Sequence, residues 1–487
     1  MQMTKPTFQR LAIASILIGA ISSPSYAAPL TFSEAWQILQ ENNNSLAAQQ
    51  ANVERYQHLQ NATGSLNLPS VTLGANYTHL DSDVTINGEQ FSNSLSGVPN
   101  LGAIGGILQP ILGGVTSTIT EQDIFSSSIR AVWPIFTGGR ITAAQNAAEG
   151  KSEEAQSQLL MEKQARYEDL SKYYFSVILA EDVVRTRQAV ETGLTQHRDF
   201  AIKLEQQGQI ARVERLQADA SLDKAIVERT KAQNDLKIAQ LALTQILGQN
   251  ESVEPSEQLF INKNLPHMDV FIDQTLMTYP GLKILDAKEK QASSLIKAEK
   301  GKYYPEVYLY GDYSLYEDDS LASEMKPDWL VGIGVNVPLI DTSGRSDKVA
   351  AAHSAVSQVQ FLKSQAKQDL TVLVQKTYLE ANQAIEEVQG LNSSLSLAQE
   401  NLLLRKKAFT QGLSNSLEVV DAELYLASIK TQQSAARFKY LISLNKLLAL
   451  TSEMNAYSSY LTSSVTSDFD SKTDTASQSK RITHETY

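Results

Sequence analysis

Glu418 and Asp421 stand three residues apart, a spacing that places both carboxylates on one face of a helix beside the apolar positions Leu417 and Val420. Glu214 occupies the position 204 residues before Glu418, but Gln217 follows it, so only one carboxylate of the pair is present there. Carboxylates aimed into a water-filled path attract cations and repel anions; on an open helix face they are simply solvated. Other chemistry is hard to find. The six histidines (His58, His79, His197, His267, His353 and His484) lie far apart with no metal-ligand spacing. There is no cysteine, no Walker motif and no Gly-x-Ser-x-Gly elbow. Gly332-Ile333-Gly334 opens like a nucleotide-binding turn, yet Val337 sits where a third glycine is required and a strand-like pattern surrounds it. The chain reads as a non-enzyme, with no cofactor and no metal site.

The elements that must carry these residues come twice. Pro69, Val71, Leu73 and Tyr77 recur as Pro305, Val307, Leu309 and Tyr313, 236 residues on. Trp133-Pro134-Ile135-Phe136-Thr137-Gly138-Gly139-Arg140 is answered by Val337-Pro338-Leu339-Ile340-Asp341-Thr342-Ser343-Gly344-Arg345, with the prolines 204 apart. Tyr174/Tyr378, Gly208/Gly412 and Glu214/Glu418 keep that 204. The unit is the same, and one loop is longer.

After Arg140 there is no proline until Pro255, and after Pro338 none at all, which marks very long helices. Tyr167, Leu170, Tyr174 and Val177, and later Leu417, Val420, Leu424 and Ala427, step by three and four like a coiled-coil seam. Gly208 and Gly412 break the pattern, so each repeat is expected to form a helical hairpin, over about 140–247 and 345–451, turning at those glycines. One arm would be on the order of 100 Å long at 1.5 Å per residue. Four segments alternate with period two, about 69–81, 124–136, 305–317 and 329–339. Their length, apolar face, polar face and flanking aromatics suit transmembrane strands, although a half-buried soluble sheet alternates in the same way. Four strands cannot close a barrel and open edges are forbidden in lipid, so a membrane role demands several chains, two giving eight strands or three giving twelve.

Residues 1–27, with Lys5, Arg10, the apolar run Leu11–Ile21 and the exit Ser25-Tyr26-Ala27, read as a secretory signal. The formal charge of -12, or -14 once Lys5 and Arg10 are removed, argues against nucleic acid as a partner. The first repeat then covers 28–254, a linker 255–268 and the second repeat 269–454. The Gly/Ser/Pro-rich stretch Asp81–Asp123, with Gly105-Gly106 and Gly113-Gly114, is expected to be a long exposed loop. The Ser/Thr-rich residues 455–487 are expected to be a disordered tail.

Leu30-Thr31-Phe32-Ser33-Glu34-Ala35, the proline-bounded strands, Gly138-Gly139-Arg140 with Ser343-Gly344-Arg345, and the two Gly-x5-Glu turns together resemble the TolC-like outer membrane efflux proteins, over about residues 30–452. That resemblance implies a mainly α protein with transmembrane β-strands. In a homotrimer each protomer gives four strands to a 12-stranded barrel in the outer membrane, and its helical hairpins build a hollow α-barrel through the periplasm. The implied partners are outer membrane lipid, a periplasmic adaptor (membrane fusion) protein, and an inner-membrane pump or ABC transporter. Gly138, Gly139, Arg140, Gly344 and Arg345 would lie at the strand-to-helix passage. Gly208, Gln209, Ile210, Gly412 and Leu413 would form the adaptor contact at the periplasmic tip, and Glu418, Asp421 and Glu214 the pore constriction. Family members hold the tip shut with a tyrosine and an arginine, matched here by Phe409 and Ser414, neither of which is expected to repeat the contact. Arg212, two residues before Glu214, is the residue expected to serve as a substitute latch. The implied function is a passive exit duct for drug efflux or type I secretion; the competing reading is a non-membrane periplasmic helical scaffold.

Overall fold

The computed structural model describes residues 29–87, 116–318, 320–340 and 342–466. The signal reading, the glycine pairs of the long loop and the tail beyond 466 lie outside them. The first repeat runs α1 (Phe32–Asn42), α2 (Asn44–Gly64), β1 (Ser70–His79), β2 (Val84–Asn87), β3 (Thr116–Thr120), β4 (Asp123–Phe136), α3 (Arg140–Gln206) and α4 (Arg212–Ile246). A short β5 (Phe260–Ile261) leads to the second: α5 (Met268–Thr278), α6 (Pro280–Gly301), β6 (Glu306–Glu317), α7 (Leu321–Glu324), β7 (Trp329–Asn336), α8 (Arg345–Thr410) and α9 (Ser416–Leu450). The chain continues into α10 (Tyr457–Thr462) and β8 (Val465–Thr466).

α3 and α8, of 67 and 66 residues, would each run about 100 Å, the length expected of the arms. α3 packs along α4, α9 and α6, and α8 along α9 and α6, so the helices form a layer ordered α4–α3–α9–α8 toward the hairpin turns and α2–α3–α6–α8 toward the sheet. The layer ends on α2 and α4 at one side and α8 at the other. Four of the strands form an antiparallel sheet, β1-β4-β6-β7. Its register sets Leu73, Ile129, Tyr313 and Trp329 in one row, and Val71, Ala131, Gly311 and Val331 in the next. One face is therefore an exposed apolar belt bearing Trp133, Ile333 and Val335. The opposite face carries Thr72, Ser128 and an Arg130–Asp312 ion pair at 3.1 Å. The stretch 81–123 is not loop throughout, because β2 and β3 pair as a ribbon that lengthens the β1–β4 hairpin.

The core sits between the sheet and the hairpin turns. Phe32 packs its ring 4.7–5.4 Å from those of Tyr457, Phe175, Tyr167 and Tyr174. The linker does more than connect the repeats, and the expectation of a disordered tail fails over its first residues. The linker 255–268 supplies buried Leu259, Phe260 and Ile261. The supposed tail places Tyr457 in the same cluster and pairs β8 with β5. Ser/Thr-rich composition hid a few large apolar anchors that this core needs. In the seam, Tyr167, Leu170, Tyr174 and Val177 are buried, as are Val420 and Ala427, but Leu417 and Leu424 stay exposed beside α4.

Glu257 lies in this core, accepting hydrogen bonds from the Tyr457 hydroxyl and from Phe32 N–H at 2.9 Å. Burial pushes its carboxyl above the ordinary range, with the Tyr457 hydrogen bond pulling the other way. A carboxyl whose folded pKa is raised contributes stability that is present in acid and lost as pH rises through that pKa. Glu257→Gln should therefore gain a few degrees of thermal midpoint over the parent as the pH rises from the carboxylate range to neutrality. A gap independent of pH would place Glu257 outside this accounting.

Candidate functional site

The chain turns at Gly208 and Gly412, whose φ values of 69° and 71° lie where only glycine is unstrained. Both turns close with the same bond, Gln209 N–H to Leu204 O and Leu413 N–H to Ala408 O, each 2.9 Å. Gly208, Gln209, Gly412 and Leu413 are exposed, while Ile210 packs partly against Leu204 and Phe409.

Behind the turns the two hairpins are tied together at Ser416. Its N–H, the first of α9, donates to Glu214 Oε2 at 2.7 Å, and its hydroxyl stands 2.7 Å from His197 Nε2. Glu214 thus sits at the N-terminal ends of both α4 and α9, where unpaired N–H groups favour negative charge. Burial, and then the charge of Lys406, push His197 down to about 4, so it is neutral at pH 7. Its ring lies 4.5 Å from that of buried Phe409.

Glu418 and Asp421 share a helix face but not a set of neighbours. Asn415 caps α9 by accepting from Glu418 N–H at 2.9 Å. The Glu418 side chain turns to α8, where Oε2 receives Arg405 Nη1 and the Ser414 hydroxyl, each at 2.5 Å. Ser414 therefore does reach a carboxylate, and Arg405 brings the charge that serine lacks. Asp421 lies on the α4 side, in a groove of about 450 Å³ with Lys224, Arg187, Leu417 and Leu424. Arg212 is exposed and makes no ion pair among the described residues. Sequence reasoning missed Arg405, His197, Ser416 and Glu423. Glu423 is a buried carboxylate paired with Lys406 at 2.7 Å, and a Cβ on Gly193 would meet its Cδ at 2.7 Å. A glycine inside a long helix was the available signal of such a close approach.

At the opposite end of the arms β4 gives way to α3 through Gly138 and Gly139, and the chain enters α8 through Gly344, all with positive φ. Arg140 pairs with Glu306 at the root of β6. Arg345 donates to the carbonyls of Lys302 and Pro338 at 3.2 Å and lies over the Tyr303 ring. Arg140 thus ties the start of α3 to the sheet, and Arg345 ties the start of α8 to the segments that flank it. Among the described residues no helix is long and apolar enough to cross a membrane.

Comparison with known proteins agrees with this geometry. The outer membrane protein TolC of Vibrio cholerae serotype O1 is 21% identical over 342 residues, 67% of this chain and 76% of its own. A crystal structure of CusC covers 92% of this chain and 98% of its own with a TM-score of 0.70 at 14% identity. The open-state MtrE channel of Neisseria gonorrhoeae covers 92% and 98%, with a TM-score of 0.68 at 18% identity. The family model of the outer membrane efflux proteins matches residues 35–249 and 271–453. With that match covering most of both repeats, the chain belongs to the outer membrane efflux protein family, an efflux channel of the outer membrane whose helices extend into the periplasm.

Proposed function

We propose that the chain is the passive exit duct of a tripartite efflux pump or a type I secretion system, assembled as a homotrimer and fed by a periplasmic adaptor and an inner-membrane pump or ABC transporter. The observation that carries this is incompleteness: a four-stranded sheet with an apolar outer face has two open edges, which lipid does not tolerate. Three copies close a barrel of twelve strands. Fractionated membranes should hold an outer-membrane species of three chains' mass that falls to one on heating. A soluble periplasmic monomer would leave only the scaffold reading.

The adaptor meets the tip at Gly208, Gln209, Ile210, Gly412 and Leu413. Leu413 is 77% exposed, an apolar side chain at a turn that has no use for one in an isolated chain. Glu418 and Asp421 form the constriction, supported by Glu214 behind them. In the assembled channel Glu418→Gln with Asp421→Asn should reduce cation-over-anion selectivity about severalfold without lowering trimer yield. Unchanged reversal potentials would put these carboxylates outside the conducting path. Arg212 acts as the latch between protomers, and Arg212→Ala should conduct more than the parent in a planar bilayer. Equal conductance would count against it.

A further inference from the structure

The internal repeat extends to strand register. Ser70 pairs with Val132 and Glu306 with Asn336, and the match continues through Tyr77 with Phe125 and Tyr313 with Trp329. First strands differ by 236 and second strands by 204 at every step. The β4–β6 junction, running from Ser128↔Ser314 to Pro134↔Tyr308, passes from the first repeat to the second. A junction between copies, β7 to β1, passes from the second repeat to the first. The same two offsets turn Ile129↔Tyr313 into Ile333↔Tyr77, Arg130↔Asp312 into Gly334↔Asn76, and Val132↔Tyr310 into Asn336↔Gly74.

The helices show the same unfinished symmetry. The C-terminal ends of α8 and α9 follow those of α3 and α4 by 204, and the start of α6 follows that of α2 by 236. Ser157, Phe175 and Gly193 of α3 are buried under the chain's own helices. Their counterparts on α8, Phe361, Leu379 and Leu397, are 76%, 61% and 64% exposed. Large apolar groups on the outermost helix stand where the other repeat has cover, and α2 and α4 of a second copy are the equivalent cover.

The polar face of the sheet adds a contact. A Cβ on Gly332 would meet the Tyr310 hydroxyl at 2.6 Å, and one on Gly334 would meet the Tyr308 hydroxyl at 2.7 Å. Both rings therefore lie over β7, the edge strand, with their hydroxyls at its two glycines. We propose that a second copy docks its β1 on β7 with Ile333 opposite Tyr77, and that Tyr308 and Tyr310 reach over Gly334 and Gly332 to hydrogen-bond Asn76 and Thr78 of that copy. Where the seam within the chain has the Arg130–Asp312 ion pair, the seam between chains has a tyrosine bridge. This rests on the closed trimer proposed above.

The chain has no cysteine, so an introduced pair is unique. Directly opposed residues bring their Cβ atoms to about 5 Å, near disulfide range, whereas positions two residues off lie at about 7–8 Å. Gly74 has open space around it. The full chain carrying Asn336→Cys with Gly74→Cys, oxidised in membranes, should give covalent dimers and trimers about tenfold above Asn336→Cys with Thr72→Cys or with Asn76→Cys. Stronger cross-linking by either shifted pair, in protein that still runs as a trimer when unheated, overturns the register and leaves the trimer standing. A monomer that cross-links in no variant overturns both. Tyr308→Phe with Tyr310→Phe should lower the temperature at which the unheated trimer dissociates in detergent; an unchanged temperature removes the tyrosine bridge.

Discussion

Alanine at Gly138 abolishes the assembled channel, whereas alanine at Gly139, one residue on, leaves it in place: this is the expected result of a pair of substitutions that share a backbone penalty and differ in what the new methyl meets. Both glycines have positive φ, 64° and 81°, so each substitution costs about 1–2 kcal/mol for a left-handed conformation. At Gly139 the added Cβ has nothing within 4 Å. At Gly138 it would stand 2.3 Å from the Gly301 carbonyl oxygen and 2.9 Å from Tyr304 Cβ. The crowding is reciprocal, because a Cβ on Gly301 would stand 2.8 Å from Gly138 O and 2.6 Å from Arg140 Cγ. Here the end of α6 crosses the turn from β4 into α3, backbone on backbone, and a carbonyl cannot step aside as the end of a long side chain can. Overpacking of about 1–3 kcal/mol or more joins the conformational cost, for a total of about 2–5 kcal/mol, a large part of an ordinary domain's stability of about 5–15 kcal/mol. The measurement is the yield of heat-modifiable species in outer membranes, with the urea midpoint of extracted protein. Equal losses for the two variants would show that conformation alone chooses the glycines.

The second large effect is expected at the tip. Glu214→Ala should raise the conductance of the assembled channel, because its carboxylate joins the hairpins through Ser416 N–H and has no near replacement: His197 is occupied by the Ser416 hydroxyl. A charge-assisted bond to a backbone N–H is worth about 1.5–3 kcal/mol, which corresponds to about a ten- to hundredfold shift between joined and parted hairpins. Alanine is a good helix former, so α4 itself should survive. Glu214→Gln keeps an acceptor oxygen and should recover part of the closure, which separates the hydrogen bond from the charge. Intact trimers of Glu214→Ala that conduct no more than the parent would show that the Ser416 junction does not restrain the tip.

The residues themselves determined the repeat, the two long hairpins, the turns at Gly208 and Gly412 and the four strands. Each rests on local physics: proline-free stretches of good helix formers, glycines at positive φ, and a side-chain period of two that sorts faces without knowing the neighbour. The carboxylates were equally visible as residue types, but their partners were not. Helical spacing puts Glu418 and Asp421 on one face, yet that face meets α8 on one flank and α4 on the other, so Arg405 captures Glu418 and Asp421 is left in the groove. Glu214 accepts a hydrogen bond from a backbone N–H 202 residues away, a partner that no spacing announces. The aromatic core gathers Phe32, Tyr167 and Tyr457 from three distant parts of the chain, and the Gly138–Gly301 crossing joins two glycines that no periodicity relates. Local pattern sets which way a side chain points, but only the packing of elements remote in sequence decides what it meets at the tip, the core and the passage.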